Sequence, residues 1–464
     1  MTSVVAVFAL AVAGLPLAWA LTRSVPLAVV LSPLAAAAVS SVAVVLMLWL
    51  RGPLLPWFGA VFLATVALAW FARGAAAVPG GSWREAGLLG VPLLAPFLMM
   101  FQSPLGWDAH AIWWQHAGYF AQGGDFARAA IGNETIAITH TDYPPIASAP
   151  VAVAWRLLDS LTFRPALAVN VAITWSAVVL VAYAVRRATA NAPAWLSVPA
   201  ALAAACAAWL PQFTAPAEGY SDTMCAAAFV AGAVLLLGAA DPVRVTPLAL
   251  FLVSAAVLTK NEGLPLAGVV AVVATLRLRH EPRRAAWCWL PVGVAAVWSA
   301  TARVFGAKND LMADGRFGQL LHGDHAAWSR LPEIQAALSG QVGSVVGAAV
   351  LAAVLGTFFL RGRRRALGLA GDGWLWVVFG GYWAAITFIY LISPYPIGWH
   401  LSTSVDRVTI VMAMLAGVSA ATWLVVSLAP APASAAIPAQ PDPPAPEGER
   451  GDRGDRRAAG AGAA

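Results

Sequence analysis

Charge is the first thing this sequence lacks. Of its 464 residues only 11% are Asp, Glu, Lys or Arg, while 60% are hydrophobic. A soluble domain carries roughly 25% charged residues. The mean hydropathy of +0.74 confirms the imbalance, and no water-facing shell can hide that much apolar surface. Cysteine is scarce too. Cys206, Cys225 and Cys288 lie in or beside apolar runs, with no Cys-x-x-Cys or Cys/His spacing. They read as small buried apolar residues, and no thiol-based site is in view. Strict polar/apolar alternation is missing from the apolar runs, which argues against a β-barrel. Neither a repeat of fixed period nor an inverted repeat is visible. The net charge of +6 does not point to nucleic acid, because the bases sit in short clusters between apolar runs.

What is present is a series of long apolar runs. A membrane span needs about 20 such residues. The runs fall at 4–21, 25–50, 54–72, 86–101, 165–185, 194–212, 221–239, 246–259, 264–278, 286–305, 341–360, 373–392 and 405–428. The sequence thus predicts an all-α polytopic transmembrane bundle of about 13 spans over residues 1–428. The first run lacks a basic start and is soon followed by another, so it reads as a retained helix rather than a cleaved signal. The stretch 144–160 opens with Pro144-Pro145 and carries Arg156 and Asp159. It reads as a helix at, or dipping into, the membrane surface. The tail 429–464 is rich in Pro, Ala, Gly and charge without apolar periodicity. It is expected to be disordered and cytoplasmic.

The runs sort the loops onto two sides. Arg186-Arg187, Arg277 through Arg284, and Arg361 through Arg365 fall on one side, which the positive-inside rule makes the cytoplasm. The other side receives 102–164, 211–221, 260–263, 306–340 and 393–404. Those loops hold nearly all the remaining acids, histidines and isolated bases. The pattern predicts a multi-pass cell-membrane protein with an extracytoplasmic site.

Five constellations carry that chemistry. Trp107-Asp108-Ala109 opens an aromatic stretch running to Phe120, suited to the interfacial belt. Asp108 reads equally as a general base or as a helix N-cap. In His140-Thr141-Asp142-Tyr143-Pro144-Pro145 the prolines start a helix, and Asp142 is at least as readily a cap as a functional acid. Asp222 opens a span, where an acid favours the helix dipole. Lys260 and Glu262, in Leu258-Thr259-Lys260-Asn261-Glu262-Gly263, lie between two closely spaced spans. Charges near bilayer depth are paired or functional, or they snorkel to the interface. Asp406 and Arg407 open the last run and form either a local ion pair or a bidentate grip on phosphate, with His400 in reach of the same group.

Together these pieces resemble the GT-C superfamily of membrane glycosyltransferases that use lipid-phosphate sugars. That group includes protein O-mannosyltransferases and aminoarabinose transferases. The match rests on Trp107-Asp108-Ala109, Asp142-Tyr143-Pro144-Pro145, Leu258 through Gly263, and Ser402 through Arg407, in that order over about residues 100–410. The resemblance implies that Asp108 is the catalytic base and that Lys260 and Arg407 hold the donor phosphate. His400, Glu262, Asp222, Asp142 and Tyr143 join them as candidate substrate-binding residues. It implies as partners a polyprenyl-phosphate-linked sugar, membrane lipid, and an acceptor glycan, lipid or protein. The chain departs from the family pattern in having about four helices before the motif loop, a single acid there, and no sizeable C-terminal soluble domain. No resident cofactor is implied, and no metal ligands are assigned. A divalent metal stays an open alternative, since several members carry an acidic pair. The rival to a glycosyltransferase is a transporter or flippase of a lipid-linked or polar solute.

Overall fold

The computed structural model describes residues 1–101, 106–239, 242–308, 316–323, 328–359 and 372–429. Among them all regular structure is helical. That follows from the composition: without water to pair with, each backbone N–H and C=O must be satisfied within its own segment. The expected tail and the basic cluster Arg361 through Arg365 lie outside the described residues.

The chain opens with four helices: α1 (Thr2–Thr22), α2 (Val25–Leu50), α3 (Leu54–Phe71) and α4 (Trp83–Met100). α1 and α2 pack so closely that a Cβ on Gly14 would lie 2.0 Å from the Ser32 carbonyl oxygen. Small residues at such crossings let backbones approach where lipid offers no hydrophobic drive. Short helices α5 (Trp114–Gln122), α6 (Gly124–Ile131) and α7 (Ala149–Leu158) follow. Next come α8 (Phe163–Ala188), α9 (Ala194–Cys206), α10 (Asp222–Gly238), α11 (Pro242–Val257), α12 (Gly263–Arg277), α13 (Pro282–Trp287) and α14 (Leu290–Val304). The remainder is α15 (Arg316–Leu321), α16 (Leu331–Phe359), α17 (Asp372–Ile392), α18 (Ile397–Val408) and α19 (Ile410–Leu428). α8 and α10 form the buried centre, and every residue of α10 from Asp222 to Leu237 is buried.

Among the described residues eight helical segments are long and apolar enough to cross a membrane: α1, α2, α3, α8, the α13–α14 pair, α16, α17 and the α18–α19 pair. α9, α10, α11 and α12 are apolar but shorter. α4 begins with Arg84 and Glu85 near its start and carries Pro92 and Pro96 inside.

The stretch 144–160 contains α7, which buries every residue from Ala149 to Trp155 among its neighbours. Its charges sit at its end, where Arg156 is exposed and Asp159 adopts a left-handed conformation at the C-cap. The last run does not begin at Asp406. Those residues end the amphipathic α18, and a break at Thr409 starts α19 afresh.

Contacts between helix ends follow an alternating path. Ser24 Oγ, in the α1–α2 turn, donates to the Gly81 carbonyl just before α4. Arg187, at the end of α8, pairs with Glu85 of α4, and Tyr183 donates to the Pro79 carbonyl at 2.7 Å. At the opposite ends, Gly124 N donates to the Gly52 carbonyl at 2.9 Å, and Arg128 reaches the Leu48 and Trp49 carbonyls.

Candidate functional site

Asp108 is positioned by a tight local approach. The Gly106 N–H donates to the Glu218 carbonyl at 3.1 Å. A Cβ at position 106 would lie 2.1 Å from the Tyr220 ring, so only glycine lets the two segments meet. A π-helical turn over Ala109–Trp113 then leads into α5. Such turns widen the helix and recur at functional sites. Asp108 stands at its start, buried, with no capping bond from its side chain. The cap alternative therefore fails for this residue.

Lys260 is positioned by the short return between α11 and α12. α11 ends at Val257 and α12 starts at Gly263. A Cβ on Gly263 would lie 2.5 Å from the Val257 Cα, which explains the glycine at that return. Lys260 is only 7% exposed, so it does not snorkel. Its Nζ donates to Asp222 Oδ1 at 2.8 Å and lies 3.9 Å from Glu262 Oε1. Burial alone would lower the Lys260 pKa, but Asp222 and then Glu262 outweigh it and hold the ammonium above the ordinary lysine range.

Arg407 completes the arrangement. Its Nη1 donates to Asp108 Oδ2 and lies 3.9 Å from Asp222 Oδ2. Its Nη2 donates to the Thr403 carbonyl at 2.8 Å, and its backbone N–H to Asp406 Oδ1 at 2.9 Å. Asp406 is therefore spent on its own helix end, whereas the guanidinium reaches across the bundle. The result is one alternating array: Glu262, Lys260, Asp222, Arg407, Asp108. Asp222 is its keystone, holding both bases, and its opening position in α10 says nothing of that role.

One expectation fails here. A base that must leave room for a sugar is expected to face the two cations across a gap. Instead Asp108 and Arg407 are in contact. The physical reason is local charge: Arg407 is part-buried, and Asp108 offers it a second counterion alongside Asp222.

A cavity of about 560 Å³ lies against this array. Asp108, Tyr143, Asp222, Lys260, Glu262, His400 and Arg407 all line it. Sequence reasoning missed Trp107, Tyr220, Tyr395 and Trp399 as wall residues, although each stands within a segment noticed for its charges. The Arg407 guanidinium lies 5.4 Å from the Tyr220 ring centre and Lys260 Nζ 5.6 Å from that of Tyr143. Tyr143 is stacked with His140 on one side (4.6 Å) and Trp113 on the other (5.5 Å). His400 is fixed by Ser393 Oγ at 2.8 Å from its Nδ1.

Asp142 is turned away from that cavity. Its Oδ2 accepts from Asn261 Nδ2 at 2.6 Å, and its carbonyl accepts from Trp298 Nε1 at 2.8 Å. It caps no helix, since the following short turn begins after Pro144. It lines a second cavity of about 400 Å³, walled by apolar residues of α12, α14 and α17 such as Leu264, Ala295, Trp298 and Phe388. Lys260 belongs to both cavities.

The motif segment is locked from behind by His116. This fully buried ring bonds through Nε2 to the Thr139 carbonyl at 2.8 Å and packs against Trp113, Tyr119 and Phe120. Burial pushes its pKa down to about 3, against the opposing effect of the Thr139 bond. It is therefore a neutral structural donor.

Among the described residues no three acids, histidines or cysteines converge as metal ligands. The acids of the array face cations instead, which does not fit a resident metal. The chain matches no family model, no curated protein and no solved structure.

Proposed function

We propose that this protein is an integral-membrane glycosyltransferase that moves a sugar from a polyprenyl-phosphate donor to an extracytoplasmic acceptor. One observation carries the reading: Asp108, Asp222, Lys260 and Arg407, from four distant segments, meet in one array on one cavity. The apolar-walled second cavity supports a lipid-linked donor. It lies between α14 and α17, which belong to candidate spans, and meets the first at Lys260. In this reading the chain crosses the membrane about 13 times and the array faces outward. The basic clusters face inward by the positive-inside rule.

In the reaction the acceptor hydroxyl oxygen forms a bond to the anomeric carbon. The bond from that carbon to the phosphate oxygen breaks, and its electron pair leaves with the lipid phosphate. The hydroxyl proton passes to Asp108. Lys260 and Arg407 stabilise the charge growing on the departing phosphate, the effect that contributes most in many such sites. Asp222 keeps the two cations together, and His400 stands at the same cavity.

The test is purified protein in lipid nanodiscs with a panel of polyprenyl-phosphate sugars, read by mass spectrometry as release of polyprenyl phosphate. A deletion strain should lose an envelope glycan that its parent makes. Donor left intact across the panel, together with solute movement in proteoliposomes, would replace this reading with the transporter.

A further inference from the structure

The contact between Asp108 and Arg407 has a functional meaning beyond neutralising charge. We propose that the donor's phosphate anion and the Asp108 carboxylate compete for the Arg407 guanidinium, so that the acceptor base is uncovered only once donor has bound. This rests on the reading above of Asp108 as base and of Arg407 as phosphate ligand.

The two carboxylates on Arg407 are not equivalent. Asp222 is anchored by Lys260 at 2.8 Å and stands 3.9 Å from Arg407. Asp108 is in contact with Arg407 through Nη1; among the described residues no second base lies within ion-pair distance of it, and Lys260 feels its charge only from farther off. A third anion arriving at the guanidinium meets like charge from both. Asp108 is the one that can yield. No capping bond ties its side chain to the backbone, and its cavity leaves room for movement. The other Arg407 contacts are made elsewhere: Nη2 holds the Thr403 carbonyl, and the backbone N–H holds Asp406. The exchange therefore leaves the arginine itself in place.

The consequence is an order of events. With no donor present, the guanidinium engages Asp108 Oδ2 and holds the carboxylate against Arg407, leaving only Oδ1 to meet an acceptor hydroxyl. When phosphate takes Nη1, that oxygen is released beside the anomeric carbon it must serve. The donor's leaving group thereby switches on the base that attacks it, and donor binds first.

The experiment measures phosphate binding without any sugar. A short-chain polyprenyl monophosphate is titrated into detergent-solubilised wild type, Asp108→Asn, Asp108→Ser, Arg407→Gln and the double variant Asp108→Asn/Arg407→Gln. Tryptophan-monitored melting confirms that each variant is folded. Removing the competitor should tighten binding by about tenfold in either Asp108 variant, and Arg407→Gln should erase that gain. Unchanged or weaker binding in folded Asp108→Asn and Asp108→Ser overturns the proposal. Sugar transfer is scored separately. A protein that transfers no sugar but shows the Arg407-dependent tightening retains the competition and loses only the activity. A protein that transfers sugar without the tightening keeps the activity and loses the lock.

Discussion

His116 offers a test of how the motif segment is held. Its folded pKa is about 3, and an unfolded histidine titrates near 6.5. Between those values the unfolded chain binds the extra proton, so stability rises with pH there. The contribution is fully present above about pH 6.5 and drains away as pH falls toward 3. From these two values the loss between pH 7 and pH 5 is on the order of 2 kcal/mol, and it grows further at lower pH. Asn at this position does not titrate, and its shorter side chain gives up the Nε2 bond to the Thr139 carbonyl. The assay is thermal unfolding in detergent, followed by tryptophan fluorescence at several pH values. Wild type should lose melting temperature on acidification markedly faster than His116→Asn. The variant should be less stable at pH 7, because its smaller side chain leaves space among Trp113, Tyr119 and Phe120. Equal acid slopes in the two proteins would refute the claim that this ring is held neutral by burial.

Other outcomes follow from the same geometry. Asp108→Asn should lower transfer by about 10²–10⁴-fold, the range for losing a general base; transfer within a factor of three of wild type would remove Asp108 from that role. Asp222→Asn should destabilise the protein by about 3 kcal/mol, since it leaves two buried cations short of a counterion, and melting experiments would expose a neutral change as contradicting the keystone role. Cysteines placed at Gln122 and Ala190 should label from outside and inside respectively, and labelling of both from one side would end the proposed topology. Truncation after Ala429 should spare folding and activity, because the tail's composition cannot offset the entropy of ordering it; collapse of expression would count against this.

The all-helical class and the eight long apolar helices were legible, because a bilayer imposes length and hydropathy directly on sequence. Position inside the bundle was not. α7 carries Arg156 and Asp159 at its end, yet every residue from Ala149 to Trp155 packs inside the bundle. α18 was equally hidden, since most of it read as the loop 393–404 and only its end as the start of the run 405–428. The site residues were legible as a set, because charge is rare enough here that each occurrence stands out. Their partners were not. Asp108 and Arg407 lie 299 positions apart, and nothing local tells a capping acid from one that reaches across the bundle. Asn261 and Trp298, which turn Asp142 toward the second cavity, carried no signal beyond their place near noticed motifs.

Under the proposed glycosyltransferase function, the alternating array also bears on what kind of donor the cavity tolerates. Three carboxylates face two cations, so the resting group already leans negative by one unit. A phosphodiester brings a single charge and can be matched by displacing Asp108. A diphosphate-linked donor brings at least one more, with no further cation in the array to meet it, and Asp222 cannot be displaced without freeing Lys260. The outcome expected from the proposed function is weaker binding of a polyprenyl diphosphate than of a polyprenyl monophosphate. A deeper positive well would bind every phosphate more tightly and tell fewer of them apart.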